Sequence, residues 1–229
     1  MSLIVNNLGD NPQQPGVYAE SYIPDQLIAG NMKLVTATVT LGAGTLQRGT
    51  VLGQQSAAPM TAAAATNVGN GTIGAISKGP AALIGTYSLR ATGPATFTVV
   101  APTQDDLPDA TVGTAYVSAG INFTITAGAT PFAAGDTFTF TNAAANYVQS
   151  VATATDGSQY PSAILADYAD ASGGPVTTGV YFMGEFNQNA IIADPTWGAS
   201  PALAAATLAP IMRVYGIFIK TAVSAADPS

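Results

Sequence analysis

The sequence predicts a mainly β protein: a small β-barrel-like or β-sandwich domain with one or two short helices, an extended N-terminal arm and an inserted small all-β domain. Two observations support this prediction. Apolar and polar residues alternate over short segments such as Lys33–Leu41, which is the period of a half-buried strand. Turn signals rich in glycine and proline separate these segments, and the chain has 24 glycines and 15 prolines in 229 residues.

Residues Met1–Gly30 are expected to form an extended arm, because Pro12, Pro15 and Pro24 prevent a long helix. The arm has too many apolar residues for a solvated tail, and an extended segment with exposed amides can add to another sheet's edge. From the residues alone, the arm could equally pack on its own domain. The candidate contact residues are Ile4, Val5, Val17, Tyr18, Tyr22 and Ile23.

Three strands are predicted after the arm. Lys33–Leu41 alternates with Val35, Ala37, Val39 and Leu41 on one face. Leu46–Gly53 forms the second strand after a glycine turn, and Thr72–Ser77 forms the third. Between these last two, the Ala-rich segment Ser56–Thr66 is expected to be a loop or a short helix.

The sequence pattern changes after Gly79–Pro80, and this change predicts a small inserted β domain at Ala81–Thr141. Its ends should lie close together, as inserted domains require. The core domain would then comprise residues 31–80 and 142–229. An acidic loop is expected at Asp105–Asp109. Strands are predicted around Tyr87–Ala91, Phe97–Ala101, Ile121–Ile125 and Phe138–Phe140.

The segment Ala163–Asn187 is predicted to lie at the centre of the core domain. Ala163–Ala166 is a short apolar run typical of a buried strand, and a glycine-containing loop follows it. Val176–Asn187 then alternates as a long strand. Gly179 and Gly184 interrupt this strand, and we expect it to curve at both positions.

One helix is predicted near the C-terminus. Ser200 and Pro201 are favoured at the N-cap and the first helical position, so Ala202–Leu208 should be helical. Pro210 should end or kink this helix. A last strand at Val214–Lys220 would then close the sheet.

The composition excludes most kinds of active site. The chain has no Cys and no His, so disulfides, thiolate nucleophiles, imidazole bases and the usual zinc ligands are absent. Only carboxylates remain for acid–base chemistry, at Asp167 and Asp170 and in the acidic loop. Neither group has the EF-hand spacing, so they are interpreted as solvated loop residues. We expect no enzyme activity, no catalytic residue, no cofactor and no metal.

Charge and hydropathy exclude two kinds of partner. Only 8% of residues are charged, the net charge is −7, and the six basic residues are scattered singly, which disfavours nucleic-acid binding. The first 15 residues lack the basic region of a signal peptide. Prolines and Arg213 interrupt Pro201–Ile219, so no membrane helix is predicted and the protein is expected to be soluble.

Several short motifs occur in an order similar to that in the head decoration proteins of lambda-type tailed phages. They are Arg48–Gly53 (RGTVLG), Ile164–Ala166 followed by Asp167 and Asp170, the turn Ser172–Gly174, Gly184–Asn187 (GEFN) and Gly216–Lys220 (GIFIK). The resemblance covers roughly residues 26–79 and 147–223, and the block in between has no counterpart in the short members of the family.

This resemblance implies a structural protein of the virion. Such proteins are small β-rich homotrimers that bind the major capsid protein at threefold positions on the outside of an expanded capsid and stabilise it against DNA pressure. The protein would be made in the host cytoplasm and need no cofactor or small-molecule substrate. The arm would become ordered on the capsid.

Tyr181, Met183 and Glu185 lie on the outer face of the predicted central strand and are candidates for contact between subunits. Trp197, the only tryptophan, is a further candidate, although a lone Trp is more often a lid on its own core. An alternative function is a glycan- or receptor-binding module of a phage fibre or cell surface, which would need exposed Tyr or Trp platforms. An enzyme that uses aspartates alone is the weakest interpretation.

Overall fold

The computed structural model describes residues 26–57 and 59–221. Within these ranges the protein has sixteen strands and one α-helix, so the mainly β prediction is confirmed. The helix α1 is Pro201–Met212, and short 3-10 turns lie at Pro195–Trp197 and Arg213–Tyr215. The strands are β1 (Val35–Leu41), β2 (Thr45–Leu46), β3 (Val51–Ser56), β4 (Thr61–Ala64), β5 (Thr72–Lys78), β6 (Gly85–Ala91), β7 (Thr96–Val100), β8 (Asp106–Thr111), β9 (Ala115–Val117), β10 (Ile121–Thr126), β11 (Thr137–Asn142), β12 (Ala144–Gln149), β13 (Pro161–Leu165), β14 (Ala169–Asp170), β15 (Val176–Asn187) and β16 (Ile217–Lys220).

Five strands close into a small barrel. Their order is β1-β12-β3-β13-β15, and β15 also pairs with β1 in antiparallel register from Val35↔Met183 to Leu41↔Val176. Closure removes the free sheet edges that an open sheet would expose. Inward-facing side chains fill the interior, among them Leu41, Leu52 and Val180 at 0% exposure.

The long strand β15 changes its partner at Gly184. Before this glycine it pairs with β1, and from Gly184 onward it pairs in parallel with β16. Gly184 has a φ of 155°, and a Cβ built on it would lie 2.6 Å from Cδ2 of Leu34, so only glycine fits without displacement. The sequence predicts a curve at Gly179 as well, but Gly179 stays in register opposite Thr38 of β1.

The helix α1 begins where the sequence predicts. Ser200 caps it by accepting a hydrogen bond from the Leu203 amide at 3.4 Å, and Pro201 occupies the first turn. The helix nevertheless continues through Pro210 to Met212. Leu208 and Met212 lie one turn apart at 0% exposure, and we attribute the continuation to this burial, which offsets the hydrogen bond that proline removes.

The inserted block has its own sheets and its own core. One sheet has the order β4-β11-β6-β7-β8 and the other β5-β10-β9. The Phe residues of strands β7, β10 and β11 are buried between the two sheets: Phe97, Phe123, Phe138 and Phe140. Phe123 and Phe140 lie with ring centroids 5.1 Å apart.

The block begins earlier than the predicted boundary at Ala81. Strand β5, predicted as the third strand of the core domain, pairs with β10, and the Ala-rich segment contains β4, which pairs with β11. The chain leaves the barrel after Ala57 and returns at Ala143, where the Ala57 amide donates to the Ala143 carbonyl at 2.6 Å. The ends of the insertion are therefore adjacent.

The predicted acidic loop is also partly a strand, because β8 starts at Asp106 and pairs with β7.

We predict that replacing residues 58–142 with a short Gly/Ser linker leaves the barrel folded, because Ala57 and Ala143 already lie within hydrogen-bonding distance. The measurement is a thermal unfolding curve of the deletion variant, which should remain a single cooperative transition. Loss of cooperative unfolding would show that the block and the barrel form one folding unit.

Candidate interaction surface

The predicted contact residues of the arm, from Ile4 to Ile23, lie outside the described residues. The end of the arm is described, and it packs on its own barrel. Leu27 is 2% exposed, and Ile28 forms an antiparallel bridge with Phe186. The Asn187 amide donates to Leu27 and the Ala29 amide donates to Glu185, both at 2.9 Å. The arm therefore starts from a fixed root, Leu27–Ala29, on β15.

Glu185 holds three segments together. Its carboxylate forms an ion pair with Lys220 on β16 and accepts a hydrogen bond from the Met32 amide at 3.4 Å. A Cβ on Gly30 would lie 1.6 Å from Oε2 of Glu185, so the chain after the root crosses directly over this carboxylate. The hydrogen bond from Lys220 holds the pKa of Glu185 below its ordinary value of 4.5. Glu185 is thus engaged within the subunit.

Trp197 packs on its own core. It is 7% exposed, and its indole Nε1 donates to the Ser150 carbonyl at 3.0 Å. It belongs to the same buried cluster as Leu208 and Met212. These contacts cover the core of its own subunit, so little of the Trp197 side chain remains accessible to a partner subunit.

The other two predicted interface residues, Tyr181 and Met183, have different surroundings. Tyr181 packs against the cluster under α1, with its ring centroid 5.4 Å from that of Phe186. Met183 is half-buried beside Gly216, where a Cβ would approach its Cγ to 3.0 Å. Of the four side chains, Met183 is the one that joins an exposed apolar surface.

This surface, here called the apolar face, comprises Leu34, Val35, Met183, Val214 and Tyr215. Val35 pairs with Met183 across β1 and β15, and Tyr215 precedes the glycine that Met183 contacts. Val214 is 82% exposed, Tyr215 47% and Val35 45%. The sequence alone does not reveal this surface, because Val35 and Ala37 alternate on one face with Leu41, yet both are exposed while Leu41 is buried.

A cleft of about 510 Å³ lies between the barrel and the block. Its barrel wall includes Tyr147, Tyr160 and Phe182, and its block wall includes Leu83, Ile84 and Pro102. Gln54, Thr103 and Ser162 supply polar groups, and no charged side chain is among the described residues that line it. Tyr215 belongs to both the cleft and the apolar face.

Two of these aromatic side chains are fixed in place. The rings of Tyr147 and Phe182 meet edge to face with centroids 6.0 Å apart. Burial raises the pKa of Tyr147, so its hydroxyl stays neutral at physiological pH. The cleft is therefore a neutral, mainly apolar groove with a few hydrogen-bonding groups, the composition typical of binding sites between domains.

Two of the carboxylates that the sequence singled out, Asp170 and Asp105, hold hydrogen bonds in loops. Asp170 accepts hydrogen bonds from the Thr45 hydroxyl at 2.9 Å and the Ser172 amide at 3.0 Å, and the Ser172 bonds in particular lower its pKa. Asp105 accepts from the Thr103 hydroxyl at 2.6 Å. Across the described ranges, no three carboxylates gather into a group that could hold a metal ion.

Comparisons with known proteins do not assign this chain to a family. The sequence matches no model of a protein family and none of the curated proteins. Among solved structures, two crystal forms of FlgL from Xanthomonas campestris match 43% and 42% of this chain at 24% and 23% identity, with a TM-score of 0.32. The chain spans about a third of the length of FlgL, at 33% and 32%. A likeness this low carries no argument about function.

No helix in residues 26–57 and 59–221 combines sufficient length with sufficient apolar character to cross a bilayer.

We predict that Glu185→Gln lowers the melting temperature at pH 7, because it removes the ion pair with Lys220. The folded-state pKa of Glu185 is lowered, so its contribution is fully present above the ordinary value of 4.5 and is lost as pH falls through the folded-state pKa. The gap between wild type and variant should therefore shrink in acid. Melting curves from pH 7 to pH 3 test this, with Asp106→Asn at an exposed site as the control. A gap that stayed constant with pH would contradict it.

Proposed function

We propose that this protein is a structural virion protein that binds the outer surface of an expanded phage capsid at threefold positions as a trimer and stabilises it against DNA pressure. The observation that carries the proposal is the apolar face, whose Met183 lies on β15, the strand to which the root of the arm is hydrogen-bonded. Further support comes from the mainly β fold and from the resemblance of the sequence motifs.

The chemistry of the apolar face suits contact between copies of the chain. Its five side chains are Leu, Val, Met, Val and Tyr, and residues of this kind mark protein interfaces when they cluster on a surface. Only 8% of the whole chain is charged, so few groups would need to be desolvated on association. A ring of three copies would use two different patches per copy and close through rotation.

The root of the arm suits a protein that resists separation of its neighbours. Tension on the arm would pass through Leu27 and Ala29 into β15, which lies in the closed barrel. Each backbone hydrogen bond contributes roughly 0.5–1.5 kcal/mol net, and burial of Leu27 adds roughly 1.5–3 kcal/mol. An arm anchored in this way can transmit force to a rigid body.

The alternative, a glycan-binding module that acts through the inserted domain, has less support. It needs exposed aromatic platforms, yet the aromatic side chains of the described block are buried. These are Tyr87, Phe97, Tyr116, Phe123, Phe132, Phe138 and Phe140.

We predict that Val214→Asp weakens self-association at least tenfold, or about 1.4 kcal/mol, because it places a charge in an apolar contact. Val214 is 82% exposed, so the variant should fold normally. Sedimentation velocity over a concentration series measures the effect. The matched control is Val117→Asp, because Val117 is 79% exposed on the block. Equal association of both variants, or a monomer for the wild type at all concentrations, would contradict the role of the apolar face.

We also predict that deleting Met1–Ile23 leaves the melting temperature almost unchanged, because the root Leu27–Ala29 is retained. Binding to expanded capsids should weaken at least tenfold, or about 1.4 kcal/mol. A melting curve and a capsid-binding titration with the wild type and the truncated chain are the measurements, and electron microscopy should show trimers on the lattice. Capsids that bind neither form would overturn the proposed function, whereas equal affinity would exclude the arm as a clamp.

A further inference from the structure

We propose that the cleft between the barrel and the block binds the segment Pro12–Pro15 of the arm of a second copy of this chain. This inference deepens the proposed assembly and rests on its self-association alone, because it does not require a capsid. The sequence of the segment is Pro-Gln-Gln-Pro.

The cleft has the composition of a groove that recognises proline-rich peptides. Such grooves are lined by aromatic rings, which pack against proline rings, and they bind segments in the polyproline II conformation. The four aromatic side chains of the cleft are Tyr147, Tyr160, Phe182 and Tyr215. Its volume of about 510 Å³ lies within the usual range for binding sites of roughly 300–1,000 Å³.

The occupant fits the cleft in spacing and charge. Two prolines separated by two residues are spaced by one turn of a polyproline II helix, which has three residues per turn, so both rings face one side. The two glutamines between them carry amides that can pair with Gln54 and Ser162 on the cleft wall. Residues Asn11–Gly16 include no charged side chain, in agreement with the neutral described lining.

The direction of the chain at the root favours a second copy over the same copy. Ile28 pairs antiparallel with Phe186, and Leu27 lies opposite Asn187. The described end of the arm, at Gln26 and Leu27, therefore lies toward the Asn187 end of β15. Phe182, which lines the cleft, lies toward the other end of the same strand. At its described end, the arm thus runs away from its own cleft in the direction of its N-terminus.

The arm is long enough to reach a neighbour. Pro15 precedes Gln26, the first described residue, by 11 positions. An extended chain of that length spans up to roughly 36–40 Å. Once one copy has docked through the apolar face, this tether would also raise the local concentration of the segment near the adjoining cleft.

Disulfide trapping tests the inference directly, because the natural chain has no Cys. The full chain carrying Gln14→Cys and Thr103→Cys places one thiol in the segment and one at the exposed rim of the cleft. The control carries Gln14→Cys and Val117→Cys, with the second thiol on an exposed strand of the block. Under mild oxidation we expect cross-linked species of two and three chains in the first variant, at least fivefold more than in the control. Equal yields, no cross-link, or a bond confined to one chain would each overturn the proposal.

A second measurement does not depend on engineered thiols. Full-length Pro12→Ala/Pro15→Ala and Tyr160→Ala should each weaken self-association at least fivefold in sedimentation velocity. Pro24→Ala in the arm and Tyr168→Ala, 52% exposed outside the described cleft lining, are the matched controls and should associate as the wild type does. Unchanged association of the proline and Tyr160 variants would overturn the proposal. A capsid-binding titration of the wild type separates these outcomes from failure of the proposed function.

Discussion

The double pairing of β15 is the constraint on which the rest of the structure depends. Its first half closes the barrel against β1, and its second half pairs with β16 and with the root of the arm. These roles meet at Gly184, where a side chain would collide with Leu34. The apolar face, the aromatic wall of the cleft and the start of the arm therefore have fixed positions relative to one another.

The inserted block is joined to the barrel by more than its two chain connections. Lys78 on β5 donates to the Ser56 hydroxyl at 2.9 Å and to the Ala57 carbonyl. Gln159 on the barrel donates to the Pro80 carbonyl at 3.3 Å. These bonds hold the block beside the mouth of the cleft, and the cleft has walls from both units because of them. The cleft is therefore a surface that neither unit has alone.

Periodicity predicted most strands, but it could not identify their partners. Thr72–Ser77 forms a strand as predicted, yet its hydrogen bonds go to β10 of the block, because the pattern of one segment carries no information about the strand beside it. Alternation likewise predicted one inward face for β1, whereas that face is covered only at Leu41 and half covered at Val39. The interaction surface was missed for this reason: its residues resemble core residues in the sequence. The sequence predicted an end or a kink at Pro210, and the helix does not end there; the burial of Met212 that favours its continuation cannot be recognised from the local sequence.

The few charges of the chain are used largely inside it. Asp136 accepts backbone hydrogen bonds from Val68, Gly69 and Ala133, and these bonds, that from Val68 most of all, lower its pKa. Burial opposes the same shift at Asp156, but hydrogen bonds from Ser158 and Gln55 outweigh it. With Glu185 engaged as well, no charged side chain is among the described residues that line the cleft. Long-range steering by charge toward the cleft is then weak, and recognition there has to come from shape and apolar burial. Such short-range contacts suit a partner that is already held at a fixed distance, as a neighbouring copy on a lattice is.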